Sequence, residues 1–224
     1  MNMDDLDFIS LQPQNPEPPR KRAKRADAVA NREQILSTAQ ELFNEKGVPN
    51  VCMAEIAEAA KIGKGTLYRS FAHKGELCLA LMDEDMRGFQ NRTLQVFKDM
   101  AGSPALDLLD TFLDRLTHFM KFHAPLMREV QKHQDFQEDA LPHRTSPQMW
   151  LPWLRDTIGI LLQQAEHNGE TENLDNPLLV DAILAPLSAD VFIYQREVLG
   201  FDTERISRGV RRLVLYGCKT SPGQ

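Results

Sequence analysis

No run of about 18 consecutive apolar residues occurs in the 224 residues, so no membrane-spanning helix and no membrane partner are expected. The N-terminus lacks a positively charged start followed by an apolar block, so no secretory signal is expected. Cysteine is scarce: Cys52, Cys78 and Cys218 are far apart and odd in number. They form no metal-type spacing and read as reduced, partly buried thiols. His118 and His123 are five apart, not the three or four that align ligands on a helix, and His133 sits elsewhere. No metal and no cofactor are therefore expected. The sequence also lacks a Ser/His/Asp spacing, a phosphate loop and a paired-carboxylate motif, so nothing in it supports an enzyme.

Charge is present but unevenly spread. The net charge of −6 at first argues against nucleic acid. Residues 20–74, however, hold 11 Lys and Arg against 6 Asp and Glu, a local +5, whereas residues 1–19 carry −4 and residues 75–224 carry −7. A basic N-terminal unit on an acidic body is the footprint of local phosphate contact.

Residues 1–19 hold prolines, amides and the acidic Asp4, Asp5, Asp7 and Glu17. Such a segment buries too little apolar surface to offset its ordering entropy and reads as disordered. The basic run Arg20–Arg25 that follows is read as an arm along phosphates, a solvated tail or a localisation signal. A helix is expected from Ala28 to Lys46, with Asp27 as N-cap and Gly47 at a positive φ after its end. Its apolar face carries Ile35, Leu36, Ala39, Leu42 and Phe43. Arg32 reads as a phosphate contact or as surface charge.

The stretch Val51–Phe71 reads as two short helices joined by a tight turn. Met53, Ile56, Ala57 and Ala60 share one helical face. Lys61, Ile62 and Gly63 form the turn. The second helix buries Leu67 and Phe71 and leaves Lys64, Thr66, Tyr68 and Arg69 off that line. A helix this short, rich in outward donors, suits the major groove of DNA.

The run from Asn31 to Leu77 resembles the DNA-binding domain of TetR-type transcriptional regulators. The residues that carry the resemblance are Ile35-Leu36, Ala39, Leu42-Phe43, Gly47, Ile56-Ala57, Ala60, Lys64-Gly65-Thr66-Leu67-Tyr68, Phe71, Lys74 and Leu77. Two departures bear on the contact set. Cys52 stands where many members have a Thr or Ser N-cap. The turn has Lys61 where a Gly is common, and Gly63 where a Ser is common. The Lys61 position favours positive φ. The resemblance implies that Lys64, Thr66 and Arg69 face bases or phosphates, with the turn residues Lys61 and Gly63 beside them. It implies that Gly65 lets the backbone approach DNA, that Tyr68 packs at the groove edge, and that Lys74 meets a phosphate.

Beyond the motif, helices are expected from about Gly75 to Met100, from Ser103-Pro104, from Pro125, from Ser146-Pro147 to Asn168-Gly169, from Asn176-Pro177 to Leu199-Gly200 with a kink at Pro186, and from Asp202 onward. Residues 137–146 read as a loop. No alternating strand pattern competes, so the fold class is all-α. The expected organisation is a disordered tail with basic arm over 1–26, a three-helix helix-turn-helix domain over 27–74, a helical ligand-binding and dimerisation domain over 75–218, and a tail over 219–224. The last two long helices are apolar over more of their circumference than one core face needs, which suggests a subunit interface. Its candidates are Ile183, Leu187, Phe192, Tyr194, Ile206, Val210 and Leu213.

The resemblance implies a pocket for a small-molecule effector. Phe112, Phe119, Met127, Trp150 and Trp153 are its apolar wall candidates, with His118 or His123 as polar points. It further implies a bacterial, cytoplasmic, nucleoid-associated regulator. The partners would be double-stranded DNA, a second copy of the chain and the effector. Repression at a near-palindromic operator leads; activation, and an effector-free architectural role, stay open.

Overall fold

The computed structural model describes residues 19–134, 150–172 and 175–218. Among these residues the chain is built from helices, with no β-strand. Residues 1–18, the expected loop 137–146, the Ser146-Pro147 start and the tail 219–224 lie outside the described residues.

The first three helices form one small unit. α1 (Pro19–Lys46) buries Ile35, Ala39 and Phe43 along one face. It starts at Pro19 rather than Ala28, so Asp27 lies inside the helix and does not cap it. Proline is well suited to a first helical position, where its missing N–H costs nothing. Gly47 ends α1 at φ 79°, and its N–H returns to the Phe43 carbonyl at 2.9 Å. A 3-10 turn, Val48–Asn50, leads into α2 (Met53–Ala59), which buries Met53, Ile56 and Ala57. Cys52 precedes α2 without a side-chain cap bond, as a poor thiol acceptor should. The turn passes through Lys61 at φ 54°. α3 (Lys64–Ser70) follows.

α4 (Lys74–Asp99) joins this unit to the rest. The Glu76 N–H donates to His73 Nδ1 at 3.2 Å, and the Ala72 N–H donates to Glu76 Oε2 at 2.6 Å. This is a variant of the capping box in which an imidazole replaces the usual hydroxyl and the carboxylate reaches the residue before the cap. Further along, Phe89 packs against Phe112, Phe119 and Trp153, with ring centroids 4.7–6.3 Å apart.

α5 (Ala105–Gln134) is the hub: it packs against α4 and against three later helices. The sequence places a helix start at Pro125, but α5 runs straight through it. An interior proline costs about 3 kcal/mol in lost bonding and ring clash. Here Leu116, Met120, Ala124, Leu126 and Val130 are all buried on either side of it. At roughly 1.5–3 kcal/mol for each large apolar side chain, that burial outweighs the defect.

α6 (Leu151–His167) buries Ile158, Leu161, Leu162 and Ala165. α7 (Asn176–Leu184) opens at Asp175, whose carboxylate accepts the Leu178 N–H. Pro186 breaks the helix as expected: a 3-10 turn and the extended Ser188 intervene before α8 (Ala189–Ile193). The stretches Asn176–Leu187 and Ala189–Val198 meet at 42°. A wide turn over Tyr194–Val198 ends the second, with the Leu199 N–H on the Tyr194 carbonyl. α9 (Thr203–Cys218) is capped by Asp202, which accepts the Arg205 N–H at 2.7 Å. No single described helix is long and apolar enough to cross a membrane.

The expected interface residues divide by helical phase. Ile183, Leu187, Phe192, Ile206 and Val210 are 2–7% exposed, so they belong to this chain's own core. Tyr194 and Leu213 face outward, 51% and 75% exposed. Periodicity finds that these helices have two apolar faces, but not which face points in.

Two polar links tie distant parts of the chain together. Glu170 accepts the Ala105 N–H at 2.8 Å and the Leu106 N–H at 2.9 Å, placing a carboxylate on the N-terminus of α5. Burial alone pushes its carboxyl up, but the bonds from Asn168, Leu106 and Ala105 outweigh this and hold it below its ordinary value. Arg211 on α9 reaches Asp110 and Asp114 on α5, Ser207 donates to Asp114, and His118 Nε2 lies 2.9 Å from Glu204. His118 Nδ1 is also 2.8 Å from the Asp114 carbonyl. Both ring nitrogens can donate at once only in the imidazolium, and these two bonds raise its pKa.

Glu170→Ala should lower stability by about 1–2 kcal/mol through the loss of two charged cap bonds, read as a lower midpoint of thermal unfolding. Because the folded pKa is depressed, this contribution is present above the ordinary carboxylate range and lost as pH falls through the folded value. His118 acts oppositely. Its contribution is complete below its ordinary value and fades as pH rises through the raised folded one. His118→Gln should therefore destabilise the protein more at pH near 6 than near 8; equal losses at both would show that the ring acts as a neutral spacer.

Candidate nucleic-acid interface

α3 has seven residues, fewer than an isolated helix needs to persist in water. Its position is set by what it inserts. Leu67 and the following Phe71 are fully buried. Arg32 on α1 holds the far end, with Nη1 donating to the Ser70 carbonyl at 3.2 Å and the guanidinium 4.2 Å over the Phe71 ring. Gln34 reaches the Ala60 carbonyl at 2.9 Å, and the Ile62 N–H closes the turn on Ala57. Arg32 is thus a strut for α3.

With one face pinned, the other is presented to solvent. Lys61, Gly63, Lys64, Gly65, Tyr68 and Arg69 are exposed and Thr66 is half-buried. Tyr68 is 50% exposed although it is a large aromatic. Arg69 Nη2 lies 3.2 Å from Thr66 Oγ1, which aligns the two side chains along the helix. Lys61, Lys64 and Arg69 enter no ion pair among the described residues. A Cβ added at Gly63 or Gly65 would meet nothing within 4 Å. Packing inside the chain therefore does not require either glycine.

Lys74 is placed differently from the expectation. Its side chain is only 11% exposed. The ammonium donates to the Val48 carbonyl, lies 3.9 Å from Glu129 Oε1 on α5, and sits 5.8 Å from the centre of the Phe43 ring. Every one of these partners is inside the protein, so the charge turns away from the α3 face.

The helical region holds an apolar cavity of about 340 Å³. Phe119, Met127 and Trp150, three of the wall candidates, line it. Phe112 does not: it is fully buried core, and Trp153 packs edge-on against it at 5.8 Å. His118 lies instead in a separate polar cleft of about 630 Å³ between α1, α4 and α5, together with His123, Asp85 and Arg115. His123 stacks on Phe119 and meets Asp85 at 2.9 Å. Sequence reading missed Met86, Leu116, Met120 and the Leu184–Ala189 wall. Pro186 was the available signal, since a broken helix cannot fill the space beside it. Among the described residues no three His, Cys, Asp or Glu side chains gather as metal ligands.

Residues 35–81 match the family described as bacterial regulatory proteins, tetR family. The chain is 37% identical over 95 residues to an HTH-type transcriptional regulator of Staphylococcus aureus strain bovine RF122, covering 42% of this chain and 50% of that protein. Against a regulator of the same description from strain MRSA252 it is 35% identical over 107 residues, 48% of this chain and 57% of that one. The chain thus spans about half the length of the curated relatives it matches. The fold as a whole is similar to FadR from Bacillus subtilis, solved with stearoyl-CoA, at a TM-score of 0.60 and 22% identity over 83% of this chain and 98% of that one. It is likewise similar to FadR from Thermus thermophilus, a repressor solved with lauroyl-CoA, at 0.58 and 18% over 86% and 98%.

Proposed function

We propose, for a chain that belongs to the tetR family of bacterial regulatory proteins, that it binds double-stranded DNA as a homodimer, represses transcription from a near-palindromic operator and is released by an apolar effector. The family is one of regulators, not of enzymes. The observation that carries the reading is the outward face of α3: Lys64, Thr66, Tyr68 and Arg69 exposed or half-exposed, beside two glycines that no internal packing demands. In the major groove Arg69 offers a fork for guanine, Tyr68 and Lys64 reach backbone phosphates, and Gly65 lets the helix approach without a side chain in the way. Lys61 adds a charge at the turn.

The dimer rests on apolar surface left uncovered by the single chain. Leu178, Val191, Tyr194, Val198, Leu213 and Tyr216 are all at least 40% exposed on α7 to α9. Gly209 and Gly217 flank Leu213 at one-turn spacing, and a Cβ at either would meet nothing. Their small size lets a second helix come close. Pairing through this face would place two copies of α3 about one turn of DNA apart, hence an operator with two-fold symmetry.

The effector reading rests on the apolar cavity, whose few polar groups include Gln131 and Ser188. The acyl thioesters bound by the two similarly folded FadR proteins fit a hydrophobic guest of this kind.

Selection of binding sites from random duplexes tests the main reading; a symmetric preferred site is expected, and no enrichment at low salt would refute it. Gly65→Ala separates binding from folding. It should stabilise α3 slightly, by up to about 1 kcal/mol, yet weaken operator binding. Tyr68→Ala should also weaken binding while the dimer stays folded. Lauroyl-CoA should raise the thermal midpoint of the parent but not of Ala189→Phe, which puts a ring into the cavity.

A further inference from the structure

A lysine at the first position of a helix is poorly placed for the helix dipole, which favours anions there. Lys74 occupies that position in α4, and its ammonium is turned inward. It joins three elements. Val48, whose carbonyl accepts from it, belongs to the 3-10 turn between α1 and α2. Phe43 is on the buried face of α1. Glu129, 3.9 Å away and itself only 11% exposed, belongs to α5. Lys132 lies 3.3 Å from the other oxygen of Glu129, which holds the carboxylate from the solvent side. Cys78, one turn along α4 from Lys74, has its thiol pushed up to about 12 by burial and by the Glu129 charge, while Lys74 lowers it. The carboxylate and the ammonium therefore both act at the start of α4.

The part of α5 that carries Glu129 has a second face. Met127 and Gln131, one turn apart, line the apolar cavity. Glu129, midway between them, lies on the opposite side of the helix. Pro125 stands just before this segment and removes the backbone bond that would tie it to the preceding turn. The last turns of α5 thus touch the cavity with one side and the DNA-reading unit with the other.

We propose that Lys74 is a positioning residue, not a phosphate ligand: it pins the α1–α3 unit to the cavity-lining end of α5 through Val48 and Glu129. A displacement of Met127 is then passed to the recognition helix through this joint. The idea rests on the DNA-binding reading above for its consequence, but the joint can be tested without DNA.

The full chain and the variants Lys74→Met, Glu129→Gln, Met127→Ala and Lys74→Met/Met127→Ala would be followed by amide hydrogen exchange. Lys74→Met and Glu129→Gln should each speed exchange over residues 48–60 by about tenfold, with α9 unchanged. Met127→Ala should speed the same residues in the parent but add little once Lys74 is gone. Unchanged exchange over residues 48–60 in both charge variants, or strictly multiplicative effects of Lys74→Met and Met127→Ala, overturns the joint. If Lys74→Met does not fold, Glu129→Gln, which keeps side-chain volume, decides the first arm, and its combination with Met127→Ala decides the second. Binding to the selected duplex across salt concentrations gives an independent check. The slope for Glu129→Gln should equal the parent's or steepen as Lys74 is freed, and that for Lys74→Met should equal the parent's. A slope shallower by about one in Lys74→Met places the lysine on a phosphate and refutes the proposal. A parent that binds no duplex sinks the DNA-binding reading instead, and leaves the exchange result to judge the joint.

Discussion

The insertion of Leu67 and Phe71 beneath a helix of seven residues is the constraint on which the outward face of this protein depends. A peptide of that length has no stability of its own. Its exposed groups are ordered only because its buried ones are, and because Arg32 of α1 holds the end of α3 while Gln34 holds the end of α2 at the turn. Polar presentation and apolar anchoring are therefore one property. The left-handed backbone at Lys61 has the same logic. A conformation that disfavours side chains with a Cβ, by roughly 1–2 kcal/mol, is kept at a position that carries a positive charge beside the exposed helix.

Further along, α5 plays for the whole chain the part that Leu67 plays for α3. Its N-terminus is closed by Glu170, its first three turns are bonded to α9 through Asp110 and Asp114, and its last turns carry Glu129 to the first unit. Burial on both sides of Pro125 is what lets it stay continuous. Apolar packing fixes where the helices lie, while a few directed charges fix how they are joined end to end.

Much of this was legible in the sequence, for a physical reason. The α2–α3 unit is specified locally, by spacing of three and four residues and by turn chemistry, and so Met53 to Phe71 reads correctly residue by residue. Helix ends marked by Gly47, Asp202 and Pro186 read equally well. What failed is what depends on distant partners. Pro125 looks like a start because the sequence does not show what Ala124 and Leu126 pack against. Ile183, Phe192, Ile206 and Val210 look like interface because periodicity shows two apolar faces without telling inside from outside. Lys74 looks like free charge because Glu129 lies far along the chain. The cavity was only half found, since three of its walls are aromatic or Met side chains that stand out, and the rest is space left by a break in a helix.

That break has a further bearing on any assembly. Between Leu184 and Tyr194 the chain is a single helix thick: Leu187 and Ala189 face the cavity, while Val191 and Tyr194 face solvent. In a dimer formed through the outer side, guest and partner would press on opposite surfaces of one thin partition. Filling the cavity and mating the subunits would then be linked equilibria, and the apparent affinity for the guest would change with protein concentration.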